Sequence, residues 1–191
     1  MRGEQPMNER AFDAKAFVEF DLQQGLIRSR NRETLALIPL DVLSALPLND
    51  EADRAVRKWG RVHGEQFANS VLSEEKSEGV ESLIDHLGAT TAALGFGRLS
   101  MEFYGDALVF RARSEAVQSR SHNVSSLLGS FIAGYLSAVI PRAFEVSLLG
   151  EQEGDQLFWA GNAETSALLE QWIIEGMAPL NALHRLMKGG A

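Results

Sequence analysis

Val124–Ile140 spans seventeen residues without a charged side chain. Its larger apolar residues are Val124, Leu127, Leu128, Phe131, Ile132, Tyr135, Leu136, Val139 and Ile140. They recur at the i, i+3, i+4, i+7 spacing of one helix face. The positions between them are small. Ser125, Gly129, Ala133 and Ser137 stand four apart, as do Ser126, Ser130, Gly134 and Ala138. A surface helix would carry Lys or Glu at such positions. Two ridges of small residues instead admit close approach of another element. A central helix covered on both faces is therefore expected, and Gly129→Leu should overpack it by about 1–3 kcal/mol.

The remaining patterns arrange themselves around that helix. Asn8 can cap a first helix with Phe12, Phe17, Val18 and Phe20 on its apolar face, ended by Gly25. Leu26–Arg30 and Leu35–Ile38 read as short strands around the turn Asn31–Thr34. After Pro39, Asp41 can cap one helical turn, Val42–Leu46, and Pro47–Asp50 reads as a loop. A long helix is expected over Glu51–Leu72. Its Gly60 and Gly64 are four apart, and two costly glycines at helical spacing mark a close backbone approach. Ser73–Gly79 reads as an acidic loop and Val80–Leu94 as a further helix.

Arg98–Tyr104 and Ala107–Arg113 flank Gly105-Asp106, which suits a type II′ hairpin turn. That turn places Phe103 opposite Leu108, Met101 opposite Phe110 and Leu99 opposite Ala112, with Ser100, Glu102 and Arg111 on the other side. Pro141 stops the central helix. A second hairpin, Ala143–Leu149 with Gln156–Ala160, is expected across Gly150–Asp155. Asn162 can cap Ala163–Glu175, and a last short helix carries Leu180, Leu183 and Met187. The expected class is α+β: an antiparallel sheet of two hairpins packed by helices, with the central helix 124–140 buried. Residues 1–50 would pack on a core of 51–161, and 162–191 would add C-terminal helices, all within one structural domain.

Bulk properties exclude several functions. The chain has 191 residues, no Cys and a net charge of −8. Without Cys there are no disulfides, thiolate zinc sites or Cys nucleophiles, and a reducing, cytoplasmic location is expected. The acidic balance argues against nucleic acid as a partner. MRGEQPMNER is followed by no apolar signal segment. The uncharged run Ser121–Pro141 reads as a buried helix, so no transmembrane segment is expected. Arg28, Arg30 and Arg32 alternate on one strand face, read as a charged edge in preference to an anion site.

No complete catalytic or metal-binding constellation is present. His63, His86, His122 and His184 lack partners at metal spacing. His122 lies near several Ser, but no G-x-S-x-G elbow accompanies it. Gly95-Phe96-Gly97 precedes a strand, whereas a dinucleotide fingerprint follows one. Glu151, Glu153 and Asp155 read as a solvated turn. No metal and no cofactor is expected. Apolar surface is what stands out: Phe144, Val146, Leu148, Leu157, Phe158 and Trp159 leave both faces of the last hairpin partly apolar. Such a sheet is covered by helices on both sides, lines a pocket or meets a partner.

The stretch from Trp59 to Gly161 resembles the 4-vinyl-reductase-type domain, which shares its fold with TRAPP subunits. The resemblance rests on Gly60 and Gly64, on Leu94-Gly95-Phe96-Gly97, on the helix Leu127–Ile140 and on Phe144-Glu145-Val146 leading to Gly154-Asp155 and Phe158. It implies a homodimer holding a small hydrophobic ligand between helices and sheet, or meeting a protein partner. Many members carry Cys near the last hairpin. Gly150 and Phe158 stand about there in this chain, so no family-type metal site is implied. A second resemblance, through Gly60-Arg61-x-x-Gly64 and Leu94-Gly95-Phe96-Gly97-x-Leu99-Ser100-Met101-Glu102, is to the accessory D subunit of bacterial cellulose synthase. It implies a higher oligomer that performs no chemistry. Trp59, Phe96, Gly129, Phe131, Ala133, Tyr135, Phe144, Phe158 and Trp159 are the candidate ligand-binding or interface residues. The leading expectation is thus a non-catalytic ligand-binding or scaffolding module. A small hydrolase or reductase is the alternative from another class.

Overall fold

The computed structural model describes residues 18–21, 23–24, 26–29, 34–35, 38, 40–45, 48–73, 80–104, 107–113 and 122–189. The chain divides into two compact units, Met1–Leu37 and Ile38–Ala191.

In the first unit, β1 (Val18–Asp21), β2 (Leu26–Ser29) and β3 (Thr34–Leu35) form an antiparallel sheet in that order. Val18 and Phe20 thus lie on a strand, not on the expected first helix. Pairing with Leu26–Ser29 supplies their backbone partners, and Asp21 Oδ1 accepts the Gln24 N–H at 3.0 Å, three residues on, where the chain turns back. Asn8, Phe12, Phe17 and Gly25 lie outside the described residues. Of the three arginines, Arg28 lies on β2. Arg30 and Arg32 lie outside the description.

The second unit contains α1 (Leu40–Ala45), α2 (Asp50–Ser73), α3 (Val80–Ala93), β4 (Arg98–Tyr104), β5 (Ala107–Arg113), α4 (His122–Val139), β6 (Glu145–Gln152), β7 (Asp155–Gly161), α5 (Ala163–Ile174) and α6 (Pro179–Met187). The class is α+β. The sheet is antiparallel with strand order β4-β5-β7-β6. α1 begins at Leu40, before Asp41. The sequence reading also missed the cap of α2, where Asn49 Oδ1 accepts the Ala52 N–H at 2.8 Å. At α5 the expected cap is present: Asn162 accepts the Thr165 N–H at 2.8 Å.

The β4–β5 register pairs Leu99 with Ala112, Met101 with Phe110 and Phe103 with Leu108. Their turn, Gly105-Asp106, lies outside the described residues. Across the opposite face Arg111 Nε meets Glu102 Oε1 at 2.7 Å. In the second hairpin the strands run further than expected. Gln152 pairs with Asp155, leaving only Glu153 (φ 54°) and Gly154 (φ 82°) in the turn. Two positive φ values match the type I′ turn, whose twist suits a hairpin. A bulge at Leu149 shifts the register between Leu148 and Gly150, and Gly150 takes φ 133° there.

Asp155 is consequently not part of a solvated turn. It opens β7, its side chain is 8% exposed, and both its oxygens receive Arg113, at 2.7 and 2.9 Å. These hydrogen bonds hold its carboxyl below the usual range. The group's pKa is depressed on folding, so its contribution is present above the unfolded Asp value of about 3.9 and is lost as pH falls through the folded value. Asp155→Asn should therefore flatten the acid limb of the stability curve. Urea midpoints at neutral and at acid pH check this; an unchanged slope would mean that the pair makes no net contribution.

Helices cover both faces of the second hairpin. On one face α4 lies over β6 and β7 and α3 lies on β4, while α2 and α1 pack against α4. On the other, α5 packs on β6 and β7, and α6 on β6. Two apolar cores result. The first joins Phe67, Leu87, Phe96, Phe110, Phe131 and Phe158 with their neighbours, and the second joins Val109, Leu157, Trp159, Leu169, Trp172 and Leu183.

The two small ridges of α4 have different occupants. Ser130 donates to Asp53 of α2, and a Cβ at Gly134 would run into the Arg57 carbonyl oxygen. Gly64 lies equally close, its Cβ position 2.5 Å from the Tyr135 carbonyl oxygen and 2.8 Å from Ala138 Cβ. Contacts advance together from Asp53–Ser130 to Gly64–Ala138, so α2 and α4 run parallel with backbones nearly touching. The other ridge faces the sheet. Gly129 sits over Val146, and Ser137 Oγ accepts the Phe144 N–H at 3.0 Å at the entry to β6.

Candidate functional site

The close approach of α2 and α4 determines what lies beside it. Trp59, His63 and Phe67 recur every four residues on α2, on the face turned to Phe131 and Tyr135 of α4. Trp59 and Phe131 meet edge to face at 5.2 Å between centroids, and His63 lies 5.5 Å from Trp59 and 5.8 Å from Phe131. His86 of α3 closes the group. It sits 4.8 Å from Phe67 and stacks on Tyr135 at 5.9 Å and 23°. Six rings from three helices thus form one cluster, with His63, Phe67, Phe131 and Tyr135 buried and Trp59 and His86 half-buried.

Inside it, His86 Nδ1 and Tyr135 Oη share a hydrogen bond of 2.8 Å. Tyr135 is completely buried, and that burial pushes its phenol well above the usual range. The hydroxyl therefore stays protonated at any ordinary pH. A neutral O–H beside an imidazole, walled by aromatic rings, forms a hydrogen-bonding handle in an apolar site. Among the described residues, no group of three or more His, Asp or Glu is placed to hold a metal ion.

The candidate residues from sequence fall into three places. Trp59, Phe131 and Tyr135 belong to the ring cluster. Phe96, Phe144 and Phe158 lie in the same core, with Gly129 and Ala133 buried beside them. Trp159 lies on the opposite face of the sheet, in the second core. His63 and His86 were missed as members of the cluster. A signal existed: His86 falls on the helix face marked by Leu83 and Leu87. Its partner, however, is 49 residues away, which no local pattern reveals. His122 begins α4.

Among the described residues, recesses open on the surface of this unit at two places of note. One, of about 500 Å³, lies where the first turns of α2 and α4 meet, beside Asp50, Asp53, Asn123 and Ser130. The other, of about 430 Å³, lies on the far face of the sheet beside Trp159 and α6. No helix among the described residues is long and apolar enough to cross a membrane.

No family model matches the chain, and no curated protein sequence matches it. Among solved structures, the phenol-responsive sensory domain of the transcription activator PoxR, crystallised with phenol, is similar in fold. The TM-score is 0.56 at 14% sequence identity, over 82% of this chain and 90% of that one. At this identity the likeness is one of fold.

Proposed function

We propose that this chain is a non-catalytic small-ligand-binding module that holds a small aromatic molecule among the rings of α2, α3 and α4. The observation that carries this reading is the His86–Tyr135 hydrogen bond inside an apolar, aromatic enclosure. A ligand with a ring and one polar group would use the rings for area and His86 or Tyr135 for orientation. Trp59, half-buried at the edge of the cluster, is the side chain it would displace on entry. Two likenesses support the reading. The solved domain that shares this fold is described as phenol-responsive, and the 4-vinyl-reductase-type resemblance implies ligand binding between helices and sheet. Phe96, Phe144 and Phe158 would form the floor.

The homodimer is part of the proposal. β4 is an edge strand, and its Phe103 is 65% exposed, an apolar side chain available to a second copy.

Ligand binding stabilises the native state by mass action, so phenol or p-cresol should raise the melting temperature where cyclohexanol does not. The shift should disappear in His86→Phe and Tyr135→Phe. Equal shifts in the variants, or none in the parent at millimolar ligand, would defeat the ligand reading. Native mass spectrometry tests assembly: a monomer would remove the dimer, and an empty octamer would favour the export-accessory alternative.

A further inference from the structure

We draw no further inference here: the strongest candidate, the recess of about 500 Å³ where the first turns of α2 and α4 meet, rests on an acidic cluster, Asp50 and Asp53, beside two helix N-termini, and with Asp53 already bound to Arg57 and Ser130 nothing among the described residues shows what would occupy it.

Discussion

Gly134→Ala is expected to destabilise the protein by about 1–3 kcal/mol or more, although Ala is the better helix former. A methyl there meets the Arg57 carbonyl oxygen, a backbone atom that cannot rotate away. The helices must separate, and the separation loosens the Trp59–Phe131 contact next to it. Gly129→Ala is the control on the same helix. Its Cβ would find Val146 and Phe158 atoms at 3.5 to 3.9 Å, ordinary contact distances. Released from the glycine penalty, that variant should be stabilised by up to about 1 kcal/mol. Gly129→Leu should still overpack against β6. Urea unfolding of the three variants decides the matter. Equal effects for the two alanine variants would mean that α2 and α4 are not in backbone contact.

Tyr135→Ala should cost about 3–5 kcal/mol, as removal of a fully buried aromatic ring generally does. The ring touches Phe67, His86 and Phe131, so the void would open at the centre of the cluster. Tyr135→Phe isolates the hydroxyl. It keeps the ring but removes the bond to His86, with an expected loss of about 1–3 kcal/mol. A double-mutant cycle with His86→Phe should show coupling of about 0.5–3 kcal/mol. No coupling would mean that the two side chains adjoin without a stabilising bond. It would also deprive the proposed ligand of its polar handle.

Several features of this protein are local and were readable in the chain. The α4 helix, the Gly60–Gly64 pair, the β4–β5 register and the Asn162 cap each depend on residues within a few positions of one another. Burial pattern, turn spacing and cap chemistry specify them whatever the remaining fold does. Val18 and Phe20 show the limit of such reading. Their spacing is compatible with a helix face or a strand, and pairing with Leu26–Ser29 decides for the strand. Asp155 shows another limit: its acidic neighbourhood reads as solvent, but Arg113 on β5 reaches it across the sheet.

The small ridges of α4 show what each level determined. Their composition alone required cover on both faces, because uncharged helix surface and glycine-exposed backbone are poorly stable in water. It could not say what the cover was. Helix, sheet, ligand and second subunit all fit a groove of small residues. Tertiary structure assigned α2 to one ridge and β6 to the other. It also brought His86 to Tyr135 and Arg113 to Asp155. Those juxtapositions join residues far apart in sequence, and only the packing of whole elements decides which of them meet.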